Sequence, residues 1–513
     1  MSRALVYVGR LGQPLAAFGD ERVISLAKRM VRNEFSIVMV GQVVQLVLTF
    51  GTSLIIARTI GAEGYGLINL ARSIAMVPAM IAPLGLDIAL LKFCGRTDSA
   101  DPVAQAVVRQ LRLTAALLNI GVMLAVVAAA LGSAFVSSFG HPGLDTIMLV
   151  TILTLPFAGD LSILGALYKA RGEPARYAIF YYIGQSVLRV LMIGPVLLFW
   201  PSTLAVAFVN TAQIIMTQCL CFIDERRRHG RRPTSGGTAD RVVVRAEYWR
   251  VSREAIWMCA SIVVYGTMRL ADILVLGFYA DTASIGEYAA LSTVAQLIVF
   301  WSVAGSQTLG PRIANFYHQG DLDSLKRELS RYIRHASIVS SFMFAGLAVF
   351  GDRLDLIFGK AFHFDPVVCF MLPLAFLLSA TLAPMGYALS MTGHHRQENA
   401  ILGSGALVLV VALLILVPRY GQIGAASSVV VAFGLVNVVR FVYTARLHGF
   451  IPGRAADLMP PFVGLALAFV AREIGNVFGG HDFPTTIGSS ALFILLYAAV
   501  YRSELPLRRF KKT

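Results

Sequence analysis

The chain is a succession of apolar runs, about fourteen of them, each close to the roughly 20 residues a helix needs to cross a bilayer. Their limits fall near 35–57, 66–91, 110–134, 145–168, 177–200, 203–223, 254–278, 285–309, 332–350, 365–391, 400–417, 422–444, 458–475 and 485–501. No other feature restricts the fold as strongly. Hydrocarbon offers no water to backbone N–H and C=O groups, so each span must satisfy its own as a helix. Charged residues make up 14% of the 513 positions and apolar ones 57%, against about 25% charged in soluble domains. The implied fold is an all-α polytopic membrane protein.

The basic residues sort by connection. The first segment carries Arg3, Arg10, Arg22, Lys28, Arg29 and Arg32. Every second connection after it is basic too, among them Lys169–Arg176, the run "DERRRHGRR" from Asp224, and Arg508 to Lys512 at the end. Such alternation places both termini on the cytoplasmic side. It also accounts for the net charge of +15 without nucleic acid, since the basic residues flank spans instead of forming a basic, aromatic-rich polar domain. The segment "ERVISLAKRMVRN" spaces apolar and basic positions as a helix lying on the membrane surface would. No secretory signal peptide is visible. The five cysteines form no CxxC pair and read as packing residues.

The spans divide into related sets. Tyr65 and Tyr288 lie 223 residues apart, and Gly165 and Gly172 recur 221 residues later as Gly386 and Gly393. A constant offset predicts an internal repeat of two pseudo-symmetric six-helix bundles. The organisation expected is a cytoplasmic amphipathic segment over 1–34, a bundle over 35–223, a basic linker over 224–250, a second bundle over 251–444, and two additional helices with a basic tail over 445–513.

Three stretches carry a family likeness: "IIARTIGAEGYGLINLARSIAMVPAMIAPLGL" from Ile55, "RLADILVLGFYADTASIGEYA" from Arg269, and "VPRYGQIGAASS" from Val417. In these the chain resembles the oligosaccharide flippases (Wzx-type polysaccharide transporters), a family whose superfamily also holds the multidrug and toxin extruders and the lipid II flippases. The resemblance implies a bacterial inner-membrane protein. It would move a polyprenyl-diphosphate-linked oligosaccharide from the cytoplasmic to the outer leaflet by alternating access. By likeness to the lipid II flippases, the last two spans would help form a groove for the lipid tail.

Ionisable side chains near the bilayer centre cost about 2.5–3.5 kcal/mol each on insertion scales. The first set contains Arg72, Asp160 and Arg189. The matching positions of the second set are near Ala295, Thr381 and Val410, which are uncharged. The expectation is that one half of a central cavity is electropositive for an anionic cargo. Guanidinium groups stay protonated and bind diphosphate oxygens in pairs. Tyr182, Gln185 and Arg189 share a stripe at spacings of three and four. Arg269 and Asp272 share another with Ser261 and Tyr265, and have two readings, as cargo ligands or as a mutually neutralising pair. Arg58 completes the candidate set as a cavity residue or an interfacial anchor. Asp160 has a second reading, as the buried ion-pair partner of Arg189. Pro156, one turn before Asp160, predicts a kink. Gln42, Gln45, Asn210, Gln213 and Gln296 either line the cavity or hold helices together.

No Walker-type loop occurs, and all nine histidines lie in loops or at span ends, so neither ATP nor a histidine relay is implied. No cofactor is expected. A coupling ion, proton or sodium, could bind Asp160 or Asp272. The expected partners are membrane lipids and the lipid-linked glycan, with the protein a monomer working beside polysaccharide polymerase machinery. The competing reading is an ion-coupled multidrug exporter of the same architecture, which would call for acidic lumen residues. An enzyme would need a sizeable polar catalytic loop or paired carboxylates on one face, and the short outer connections offer none.

Overall fold

The computed structural model describes residues 34–94, 101–131, 139–229, 241–479, 483–502 and 504. The expected N-terminal surface helix and the basic C-terminal tail lie outside them. The described residues are helical, with no strand among them. In chain order the helices are α1 (Glu34–Ile81), α2 (Leu86–Cys94), α3 (Pro102–Leu131), α4 (Leu144–Ile152), α5 (Leu155–Ala170) and the short α6 (Pro174–Tyr177). After a π-helical turn (Ala178–Gly184) come α7 (Gln185–Phe199), α8 (Thr203–His229), α9 (Arg241–Tyr279), α10 (Thr282–Ala295), α11 (Leu297–His318), α12 (Leu322–Phe350), the short α13 (Asp355–Phe358), α14 (Pro366–Met391), α15 (His395–His448), α16 (Pro460–Gly479) and α17 (Phe483–Val500).

Among the described residues, eleven helices are long and apolar enough to cross a membrane, and Pro484–Val500 is a shorter apolar one. The fourteen spans expected are therefore not seen as fourteen separate helices. Two of the eleven are double elements: α1 is broken at Gly61 (φ 72°) and α15 at Gly421 (φ 53°). Only glycine takes such φ values without a Cβ penalty, so each long helix folds back at its glycine. Elsewhere the chain breaks where a single span was expected. The run 66–91 ends at Ile81 and resumes at Leu86 after a turn holding Leu84 and Gly85 at positive φ. The run 145–168 divides before Pro156, as that proline predicts.

The described residues of the linker expected over 224–250 are helix. α8 continues to His229 and α9 starts at Arg241. Ion pairs support both ends: Arg228–Asp224 at 2.7 Å, Arg171–Glu225 at 2.8 Å and Arg250–Glu247 at 2.7 Å.

Side chains such as Leu117, Leu407 and Leu495, 70%, 66% and 68% exposed, need lipid as their solvent. The largest buried cluster joins the two halves at the end away from the basic connections, with Ile56, Tyr65 and Leu70 of α1 against Leu276 of α9, Tyr288 and Leu291 of α10, and Phe358 and Phe362. Gly172 and Gly393, paired in sequence, end their helices with the same turn. In each the following N–H reaches back to the last helical turn, Glu173 to Tyr168 at 2.9 Å and His394 to Leu389 at 2.9 Å.

The last helices dock on α12 through an apolar seam of Ile338, Ala345, Ala468 and Phe493. Ionic contacts pin both ends. At one, Arg334 donates to both Glu504 oxygens at 2.6 Å and to Asp457 at 2.9 Å. At the other, Arg472 donates to Asp352 at 2.7 Å and Arg353 to Asn476 at 2.8 Å. The Arg334 side chain is 39% exposed, so solvent screens part of its contribution. Arg334→Ala is expected to cost about 1–2 kcal/mol, seen as a lowered Tm in detergent. An unchanged Tm would mean the seam alone holds the pair.

Candidate functional site

Three candidate arginines come to one level. Arg72 lies ten residues past Ala62 in α1, Arg189 ten before the end of α7 at Phe199, and Arg269 ten before the end of α9 at Tyr279. At 1.5 Å per residue each is about 15 Å below the same end of the molecule, which is mid-membrane depth. Arg72 is within electrostatic reach of Arg269, Tyr65 and Tyr181, and Arg189 within reach of Arg72 and Tyr65. The group thus lies among helices of both halves.

Among the described residues no carboxylate is in ion-pair contact with Arg72, Arg189 or Arg269, and Arg189 Nε is buried without a hydrogen-bond partner. Arg72 has an exposed side chain although Ala71, Ser73, Ile74 and Ala75 around it are buried, and protein surrounds it.

Other arginines in the spans are matched. Arg112 of α3 donates from Nη2 to Asp160 at 3.1 and 3.2 Å and from Nε at 3.3 Å, while Gln218 donates its amide to the same carboxylate. Asp160 therefore pairs with Arg112 and not with Arg189. Arg440 pairs with Glu398 across α15 in the same way. Periodicity within a span could not reveal Arg112, because its partner is 48 residues away on another helix.

Asp272 is 8% exposed and does not pair with Arg269, one turn before it. Its oxygens accept from the Tyr288 hydroxyl at 3.0 Å and from the Ile273 N–H at 2.8 Å. Arg58 also stands apart from the arginine group. Its Nε donates to the Ile357 carbonyl at 2.7 Å and Nη2 to Leu356 at 2.9 Å, satisfying carbonyls of α13 that the helix leaves free. Gln185 and Tyr182 are half-buried on the chain leading to Arg189, but Tyr182 belongs to the π-turn.

Above the arginines the halves meet closely. A Cβ at Gly66 would overlap the Thr282 carbonyl and the Gly286 nitrogen, and one at Gly286 would overlap the Ala62 carbonyl. Small residues four apart, Ala62/Gly66 and Thr282/Gly286, let the two backbones touch. The Arg58 clamp, a Tyr65–Phe362 edge contact at 6.1 Å and a Tyr65–Thr293 hydroxyl contact at 3.5 Å flank this crossing. Asp281 precedes α10 beyond it. Its carboxyl is held below the usual range by the Ser284 hydroxyl at 2.6 Å, so its charge persists at neutral pH and complements that helix N-terminus.

Residues 31–316, more than half of the chain, match the family described as polysaccharide biosynthesis protein. No curated protein matches in sequence. Among solved structures the chain is similar to the lipid II flippase MurJ in an inward closed conformation, with a TM-score of 0.67, 11% identity, and coverage of 91% of this chain and 99% of that one. It is also similar to an inward-facing multidrug resistance MATE family transporter of the MOP superfamily (TM-score 0.64, 11% identity, 79% and 94% covered). A MOP superfamily transporter from Pyrococcus furiosus, described by a binding pocket of reverse polarity, shares the fold at a TM-score of 0.54 and 14% identity, with 82% and 95% covered. At these identities the likeness establishes a shared polytopic fold.

Proposed function

The chain belongs to the polysaccharide biosynthesis protein family, and from that membership we propose that it is a flippase for a polyprenyl-diphosphate-linked oligosaccharide, working by alternating access. The fold it shares with a lipid II flippase supports the reading. The observation that carries it is the set Arg72, Arg189 and Arg269, held at one depth without carboxylate partners among the described residues. Cations left without a counter-charge at mid-membrane depth are costly, and a diphosphate supplies the missing charge. A cationic cargo would need free carboxylates at this level, but Asp160 and Asp272 are engaged by Arg112 and Tyr288.

On this reading the basic connections face the cytoplasm and the Gly66–Gly286 crossing closes the outer end. Cargo would reach the arginines from inside, and separation of the crossing would release it outward. The deciding experiment is a deletion strain assayed for the leaflet that holds the lipid-linked glycan. Accumulation facing the cytoplasm is expected; a normal distribution would remove the proposal. A cytoplasm-negative potential favours outward movement of an anion by about 2.3 kcal/mol per charge per 100 mV. Collapsing the potential is therefore expected to slow translocation in proteoliposomes, and an unchanged rate would mean that the charge moves compensated.

A further inference from the structure

Tyr177, Tyr181 and Tyr182 form a closed aromatic cluster between the basic end and the arginines. Tyr177 and Tyr181 stack at 4.9 Å, and Tyr182 meets them edge-on at 5.4 and 5.5 Å. The backbone beneath Tyr181 and Tyr182 is the π-turn Ala178–Gly184. Such turns sacrifice regular helix geometry and are frequent at functional sites. All three side chains are half-buried, so the cluster is not sealed as a core would be.

Its polar atoms point to a ligand. Tyr182 accepts from Gln42 Nε2 at 3.4 Å, while Gln42 Oε1 is buried with no partner. The Lys169 ammonium sits 4.0 Å above the Tyr177 ring. Tyr181 lies within electrostatic reach of Arg72, and Tyr182 precedes Arg189 by seven residues, about 10 Å along the helix. The tyrosines thus adjoin the proposed diphosphate site on its cytoplasmic side.

We propose that Tyr181 and Tyr182, with Gln42, form the platform that takes the sugar attached to the diphosphate; the inference rests on the flippase reading above. A pyranose packs its C–H face on a tyrosine ring and exchanges hydrogen bonds with phenols and an amide. The isoprenoid tail would not suit this surface, because it would leave the buried Gln42 oxygen without a partner.

The test compares two water-soluble probes, farnesyl diphosphate and farnesyl-diphospho-N-acetylglucosamine, on the full chain in nanodiscs. The sugar-bearing probe is expected to bind about tenfold more tightly. Tyr181→Ala and Tyr182→Ala should bring that ratio to near one, while Tyr181→Phe keeps most of it. The readout is a ratio within each variant, so a general loss of folded protein cancels. A wild-type ratio near one, or a ratio unmoved in both alanine variants, overturns the platform while diphosphate binding stands. Failure of the wild type to bind either probe overturns the flippase reading itself.

Discussion

Arg189→Ala is expected to lower translocation by about thirtyfold to several thousandfold while raising the thermal stability of the empty protein. The two signs come from one cause. With cargo bound, removing one partner of a buried, hydrogen-bonded charge pair costs about 2–5 kcal/mol, and each 1.4 kcal/mol is about tenfold. In the empty protein the guanidinium has no carboxylate partner among the described residues, and its Nε is unsatisfied. Its loss then relieves a desolvation cost. Arg189→Lys keeps a charge but loses the planar fork, so partial recovery is expected. Translocation in proteoliposomes and a Tm in detergent check both signs. A variant that loses stability together with activity would show a structural arginine, and one that translocates normally would show that Arg189 does not hold cargo.

Gly66→Val is expected to force the closed end open. The obstruction is backbone, the Thr282 carbonyl and the Gly286 nitrogen, and neither can rotate away. Overpacking of this kind costs about 1–3 kcal/mol. All of it falls on the state in which the two helices touch, so the population of the open state should rise by about five- to a hundredfold. A single cysteine at Thr293, in a background without the native cysteines, reports the change through an impermeant thiol reagent added from outside. Labelling should accelerate in Gly66→Val and stay slow in Gly51→Ala, whose new Cβ meets open space. Equal labelling in all three backgrounds would show that the crossing is not the barrier.

Much of the fold was legible because the bilayer imposes simple rules. Apolar length predicted helices; the gaps between runs 35–57 and 66–91 and between 400–417 and 422–444 hold the breaks at Gly61 and Gly421, and Pro156 marked the division before it. The π-turn carried no such signal. Its residues read as ordinary helix, and the stripe of Tyr182, Gln185 and Arg189 was drawn on a period that the turn does not follow. The candidate site was legible in part. The position of each charge within its apolar run put arginines inside spans, but it also left Asp160, Asp272 and Arg58 as candidates beside them, and these are engaged by Arg112, Tyr288 and the carbonyls of α13.

The sequence alone determined that this chain is a helical membrane protein and which of its stretches are apolar enough to span, because these depend on residues close together along the chain. Only the tertiary structure decided which charges are matched. Asp160 meets Arg112 and Glu398 meets Arg440, while Arg72, Arg189 and Arg269 converge from three helices with no carboxylate in ion-pair contact among the described residues. A helix fixes the direction of its own side chains, but the neighbour each one meets depends on how the helices pack, and local periodicity carries no record of that.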